Sequence, residues 1–256
     1  MLLPLVDMVK KRVFEVHRVS RTPSTQDVVL RAAAGGAADG YCCVAGEQTQ
    51  GRGRLGRSWV APPGTGLLAS VLLRVLPRAL DGLPFAAGLA VVDMLATLCG
   101  LDAGLKWPND VVVDGRKLAG ILVELATGSA RRSEVAAVVG LGLNLSVAEF
   151  PPGINGVSLH QLTSAVPDTD LVLHAWLEAL AARASMAEAG GIAALLPDWR
   201  RHATGLGERV EVVRPSGTLS GIALDVAADG ALLVRAGEDV VRVVAGDVNL
   251  SASSAT

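Results

Sequence analysis

The stretch from Gly46 to Gly64, GEQTQGRGRLGRSWVAPPG, restricts the fold more than any other part of the chain. Gly51, Gly53 and Gly56 formally satisfy G-x-G-x-x-G, the fingerprint of a dinucleotide-binding unit. That unit needs a strand running straight into the glycines and a helix opening from them. Here polar residues precede the glycines, and Ser58-Trp59-Val60-Ala61-Pro62-Pro63-Gly64 follows them. Pro62-Pro63-Gly64 excludes a long helix at that point, and the dinucleotide reading fails with it. What remains is an irregular cationic loop in which Arg52, Arg54 and Arg57 alternate with glycines. Glycine lets backbone N–H groups approach oxygens closely, and guanidinium forks grip them in pairs. Such a loop suits a phosphate or a phosphate-linked carboxylate. By Gly/Arg composition alone it equally describes a solvated surface loop. RNA binding finds no support, because Trp59 alone provides no stacking series.

The flanking pattern predicts elements on both sides of this loop. Val13 to Val19 alternates apolar and polar residues, and Tyr41 to Ala45 and Leu67 to Leu76 are apolar runs of strand length. Gln26 to Ala38 reads as an Ala-rich helix stopped by glycines, and Leu83 to Leu101 as a second, buried helix. Asp93, Gly88 and Thr97 interrupt that second run, whereas a membrane span wants roughly 20 apolar residues without a break. Val111 to Val113 and Leu118 to Leu125 form a hairpin about Asp114-Gly115. Val135 to Leu141 is a further strand. Asp170 to Ala189 is helical, and Ile192 to His202 continues helically with a break at Pro197. Beyond Gly205, strands at Val210 to Val213, Leu219 to Val226, Ala231 to Arg235 and Val240 to Val244 are divided by turn clusters, which suggests a small antiparallel barrel.

Charge and cysteine usage narrow the partners. The 256 residues carry 23 Lys+Arg against 25 Asp+Glu, so neither nucleic acid nor a membrane surface is indicated by a global field. With 3% aromatic residues the core must be built from Ala, Val and Leu. Cys42, Cys43 and Cys99 lack metal-ligand or disulfide spacing and read as buried reduced thiols. Met1 to Val6 is apolar but short, and basic residues follow rather than precede it, so no secretory leader is expected and the location is cytoplasmic.

A second constellation is Lys106-Trp107-Pro108-Asn109-Asp110, followed after the Asp114-Gly115 turn by Arg116-Lys117-Leu118-Ala119-Gly120-Ile121-Leu122-Val123-Glu124. A lysine just after a tight turn, at the mouth of a strand, can present a fixed positive charge to a cleft. Asn109 offers paired donor and acceptor groups to an adenine or ribose edge, and Asp110 can hold a metal ion or orient an incoming amine. Taken alone, Lys117 reads as a plain hairpin lysine and Asp110 as a helix or turn cap.

Together with Ser24-Thr25-Gln26-Asp27 and Gly140-Leu141-Gly142-Leu143-Asn144-Leu145, these motifs fall in the order and separation that mark biotin protein ligases. The resemblance spans roughly Val13 to Leu250. It implies an α+β fold with a mixed central sheet flanked by helices, of the class II synthetase-like, biotin–lipoate ligase type, and a small C-terminal SH3-like barrel. The implied division is residues 1–204 catalytic, 205–251 barrel and 252–256 a disordered tail.

The resemblance also implies site residues. Ser24, Thr25, Gln26 and Gln48 would meet the ureido head of biotin, although the family more often has Asn where Gln26 stands. Gly51, Arg52, Gly53 and Arg54 would fold over biotin and the adenylate, with Lys117 and Gly120 completing that pocket. Arg57 would lie near the triphosphate. Lys106, Asn109 and Asn144 would lie near the nucleotide, with Trp59 as a lid over adenine. Arg52, Arg54 and Lys117 would be catalytic, and Asp110 is the candidate, on its own chemistry rather than on the resemblance, for orienting the acceptor amine. ATP and Mg2+ are implied cofactors, with the metal carried by the phosphates, and a biotin carboxyl carrier domain is the implied acceptor.

Two rivals remain on the residues: a lipoate or octanoyl ligase, which needs a long apolar channel, and a regulator that binds biotinyl-AMP without transfer. Only residues 1 to 23 precede Ser24, so no winged-helix domain and no operator binding are expected. Monomer and homodimer both stay open.

Overall fold

The computed structural model describes residues 12–126, 133–214 and 216–250. The expectations for Met1 to Val6 and for the tail at 252–256 fall outside them. In chain order the elements are β1 (Glu15–Thr22), α1 (Thr25–Ala34), β2 (Tyr41–Gln48), β3 (Gly66–Val75), α2 (Leu83–Cys99), β4 (Gly104–Lys106), β5 (Asp110–Val113), β6 (Arg116–Leu125) and β7 (Val135–Asn144). There follow α3 (Leu159–Leu162), α4 (Thr169–Gly190), α5 (Leu196–His202), β8 (Ala203–Thr204), β9 (Arg209–Arg214), β10 (Gly217–Val226), β11 (Leu232–Ala236), β12 (Asp239–Val243) and β13 (Asp247–Leu250). The first sheet has eight strands in the order β1-β2-β3-β7-β6-β5-β4-β8. Its β1–β2 and β4–β8 pairs are parallel and the other neighbours antiparallel. The expected mixed sheet is therefore present.

Strand alternation assigns the two faces of this sheet. On β3, Leu67, Ala69, Val71 and Leu73 join α2 and α4 in the main core. On the opposite face Leu72 of β3 and Ala136 and Val138 of β7 pack with Val29 and Ala33 of α1. Each fully buried Leu or Val contributes about 1.5–3 kcal/mol to holding these layers together. Along that second face of β7 the residues run Ala136, Val138, Gly140, Gly142. The side chains vanish as the strand approaches the start of α1, and the missing volume opens a pocket there.

The hairpin between β5 and β6 turns on Asp114 (φ 50) and Gly115 (φ 71), both left-handed as a two-residue type I′ turn requires. A register shift follows: Val112 pairs with Lys117 but Val111 pairs with Ala119. Leu118 is the extra residue of a β-bulge. Leu118 and Ala119, adjacent in sequence, consequently both enter the main core. Lys117 is thrown onto the pocket face with Gly120, where a Cβ on Gly120 would lie 3.4 Å from the lysine Nζ.

Several boundaries differ from expectation for local reasons. α1 ends at Ala34, not Ala38, because Gly35 and Gly36 stop it and Gly36 is left-handed (φ 90). Pro197 does not break a helix begun at Ile192. It stands in the first turn of α5, where its missing N–H costs nothing, and Ile192–Ala194 is a separate single turn. β4, β8 and β13 are too short or too polar to stand out by periodicity. The long apolar segment Pro77–Cys99 is packed inside the molecule over most of its length.

The strands after Gly205 form a five-stranded antiparallel sheet, β12-β11-β10-β9-β13, matching the expected small C-terminal β-unit. It docks on the first unit: the Trp107 indole N–H donates to the Gly230 carbonyl at 3.0 Å. Val210, Val212, Leu232 and Val248 continue the main core across the junction.

Candidate active site

A pocket of about 140 Å3 lies where β7 tapers, floored by Gly140, Gly142 and Gly120 and walled by the start of α1. Its inner end is polar. The Thr25 backbone N–H donates to Gln48 Oε1 at 2.8 Å, and the Thr25 hydroxyl reaches the same oxygen at 3.0 Å. Thr25 and Ser70 hydroxyls lie 2.8 Å apart, Ser70 reaches Gln26 Oε1 at 3.0 Å, and Gln26 Nε2 donates to the Val138 carbonyl at 3.1 Å. Two hydroxyl protons thus serve three contacts, so the network is one donor short. Beside it the Ser24 Oγ is buried with no hydrogen-bond partner. An inner wall poor in donors, with one idle hydroxyl, is matched by a neutral ligand carrying N–H groups and a carbonyl.

The mouth of the pocket is ionic. Lys117 Nζ lies 2.7 Å from Asp110 Oδ1 and 5.5 Å from the centre of the Trp59 ring. Trp59 rests on the glycine floor, since a Cβ on Gly142 would lie 2.3 Å from its ring. The Gly/Arg loop is a small hairpin tip: Arg52 bridges Ser58, Trp59 N–H donates to Gly51 O at 2.9 Å and Gly53 N–H to Arg57 O at 2.7 Å. Leu55 (φ 54) and Gly56 (φ 75) turn it, and Leu55 is exposed. Arg52 is held by Asp27 at 2.9 Å and Glu124 at 2.8 Å, and Arg57 by Asp247 at 2.5 Å. Arg54 points inward with a buried, unpartnered Nη1, and burial lowers its pKa against the opposing pull of Asp247 and Asp110. Burial likewise lowers Lys106, with Asp110 the main opposing charge. Cations kept partly dry and under-compensated favour an incoming anion.

A wider cavity of about 940 Å3 adjoins the first and reaches the C-terminal sheet, lined by Phe85, Trp107, Asn109, Gly230 and Val244. Arg52, Gly53, Arg54, Arg57 and Asn109 line both spaces.

The residues singled out in sequence are therefore distributed as follows. Ser24, Thr25, Gln26, Gln48, Arg52, Gly53, Arg54, Arg57, Trp59, Asn109, Asp110, Lys117 and Gly120 all line the small pocket. Gly51 lines only the wider one. Trp59 lies on the floor of the small pocket, not over the wider space. Lys106 and Asn144 line neither. Lys106 stands on β4 with Asp110 as its cross-strand partner, and Asn144 donates to the carbonyls of Lys117 at 3.3 Å and Val157 at 3.1 Å, bracing the strand that carries the lysine. Sequence reasoning missed Ser70. Its signal was available: it is the one polar residue between Leu67 and Leu73. Asp247 was missed as well, and no local pattern marks it.

Comparison with known proteins agrees with this architecture. Residues 19–144 match the model of the Biotin/lipoate A/B protein ligase family, and residues 205–251 match the Biotin protein ligase C terminal domain. Most of the mixed sheet falls in the first matched stretch, and the small antiparallel sheet falls in the second. The biotin–[acetyl-CoA-carboxylase] ligase of Mycobacterium tuberculosis is 39% identical over 238 residues, covering 90% of this chain and 86% of the relative. That of Paracoccus denitrificans is 35% identical over 234 residues, covering 87% and 96%. The biotin protein ligase of Aquifex aeolicus in complex with biotin and ATP superposes with a TM-score of 0.77 at 27% identity, covering 92% of this chain and 98% of that one. The chain belongs to the biotin protein ligase family.

Proposed function

We propose that the chain activates biotin with ATP to biotinyl-5'-AMP and pyrophosphate, and then passes biotin to a lysine of a biotin carboxyl carrier domain with release of AMP. One observation carries this reading: a donor-poor polar wall and a cationic mouth meet in one small pocket. The ureido ring supplies two N–H donors to the Gln48 and hydroxyl oxygens, and its carbonyl accepts from the idle Ser24 hydroxyl. A ring lacking these groups would leave them buried and unpaired. The pocket is short, which disfavours an extended lipoyl or octanoyl chain.

At the mouth, a biotin carboxylate oxygen attacks the α-phosphorus of ATP. The new O–P bond forms as the bond from the α-phosphorus to the bridging oxygen of pyrophosphate breaks. Two unit negative charges about 4 Å apart repel by roughly 4 kcal/mol near a protein surface. Lys117, Arg54 and Arg52 are placed to offset that repulsion and the charge growing on pyrophosphate. Arg52 must exchange at least one of Asp27 and Glu124 for the substrate anion to do so. In the second step the acceptor amine attacks the acyl carbon, the carbon–oxygen bond of the anhydride breaks, and AMP leaves with the electron pair. Asp110, fixed beside the reacting carboxyl by Lys117, orients that amine, and the proton shed by nitrogen passes to water. Among the described residues no three His, Cys, Asp or Glu side chains converge as a metal cage, so Mg2+ would be held by the ATP phosphates. A cytoplasmic setting, with ATP at hand, suits the unpaired thiols of Cys42, Cys43 and Cys99.

Biotin-dependent pyrophosphate release, followed by labelling of a carrier domain with biotin, tests the whole reading. Release with lipoate or octanoate in place of biotin, or bound biotinyl-AMP with no transfer, would overturn it. Thr25→Val, which deprives Gln48 and Ser70 of their shared hydroxyl, should raise the biotin dissociation constant about 10- to 100-fold. Calorimetry checks this, with ATP affinity expected to stay constant.

A further inference from the structure

The small pocket is lined almost entirely by the first unit, yet one carboxylate reaches it from the C-terminal sheet: Asp247, the first residue of β13. Its backbone is fixed by the ladder to Val213 of β9. The preceding Gly246 is packed so closely that a Cβ there would lie 2.9 Å from Val212 and 3.0 Å from the Val213 carbonyl. A rigid backbone thus presents a carboxylate that is 18% exposed to a guanidinium, Arg57, that is 61% exposed. Among the described residues Asp247 is the only carboxylate paired with Arg57. Apart from Asp247, the hairpin is held at its base by the pairs of Arg52 with Asp27 and Glu124, and beyond Arg52 the tip holds itself together by bonds within it, Gly53 N–H to Arg57 O and Arg57 N–H to Arg54 O.

We propose that Asp247 is a positioning residue: from the C-terminal sheet its carboxylate fixes Arg57, and with it the tip of the Gly/Arg hairpin, at the mouth of the small pocket. The first unit supplies the substrate-facing groups, and the second sets where one of its cations stands. Asp247 acts through Arg57 and touches no reacting atom. Its removal should therefore weaken the grip on the nucleotide phosphates and leave the ureido wall, formed by Ser24, Thr25, Gln48 and Ser70, unaffected. This consequence for ATP rests on the biotin and ATP reading above, whereas the tethering of the tip does not.

The test uses the full chain. Asp247→Asn keeps the shape and removes the charge. It should raise KM for ATP about tenfold and leave KM for biotin within about twofold. In the absence of both substrates, trypsin should cut after Arg52, Arg54 or Arg57 about tenfold faster. Asp247→Glu should restore both values, and Asp239→Asn, at the exposed start of β12, should change neither. An unchanged cleavage rate overturns the tether, and a lower KM for ATP overturns it too, because the carboxylate would then be competing with phosphate for Arg57. If Asp247→Asn does not fold, the wild-type chain decides: the part-exposed pair is screened by salt, so tip cleavage must accelerate with added NaCl relative to cleavage elsewhere, and a flat response overturns the proposal. The protease measurement needs neither biotin nor ATP, so its failure leaves the ligase reading standing. Absence of biotin-dependent pyrophosphate release from the wild type removes that reading and leaves the tether intact.

Discussion

Lys117→Met lowers the rate of biotin-dependent pyrophosphate exchange about 10^3-fold, the scale on which one preorganised charge donor acts in a partly dry site. Two losses add. The ammonium proposed to face both anions disappears, and Asp110, which it held at 2.7 Å, loses its paired cation at the same mouth. Asp110→Asn introduced alongside Lys117→Met should therefore recover part of the ATP affinity and little of the rate, because the repulsion is relieved without supplying a cation. Isotope exchange between pyrophosphate and ATP measures the rate, and equilibrium binding measures the affinity. Retention of exchange within tenfold of the wild type would mean that Lys117 is the hairpin lysine of the blander interpretation.

Gly142→Ala lowers kcat/KM about 10- to 100-fold, the penalty expected when a single methyl overfills a packed site. The new Cβ would lie 2.3 Å from Cε2 and 2.7 Å from Cδ2 and Cζ2 of Trp59. Backbone on β7 cannot yield, because Gly142 is paired on both sides, with Leu68 of β3 and Gly120 of β6. The indole must leave the floor, which removes the ring from beneath Lys117 and draws the hairpin tip with it. Trp59→Ala removes the collision, so the double variant should behave as Trp59→Ala alone. Steady-state kinetics on the four proteins give the comparison, and wild-type kinetics for Gly142→Ala would place the ring elsewhere in solution.

Much of this site was legible in sequence where its chemistry is written contiguously. The arginine and glycine alternation, the Lys106 to Asp110 run and the turn before Lys117 each imply their geometry within a few residues. Context removed the dinucleotide reading for the same reason, since Pro62 and Pro63 lie next to the glycines. What escaped depends on long-range pairing. Packing of α1 across β3 and β7 sets Ser70 against Thr25 and Gln26. Arg52 reads as a free cation in sequence, whereas folding surrounds it with Asp27 and Glu124. Asn144, which the resemblance puts near the nucleotide, directs its amide N–H groups to the carbonyls of Lys117 and Val157. Such assignments depend on which polar groups folding leaves without water, a property of the assembled sheet.

The extra residue at Leu118 carries a consequence for how such a site endures. Because the phase change sits between the tight turn and Ala119, the side from which the ammonium emerges is determined by counting along one short piece of chain. Exchanges elsewhere in the sheet can tighten or loosen the interior without redirecting the charge. The orientation of the Lys117 ammonium is thus insulated from drift in the scaffold that carries it.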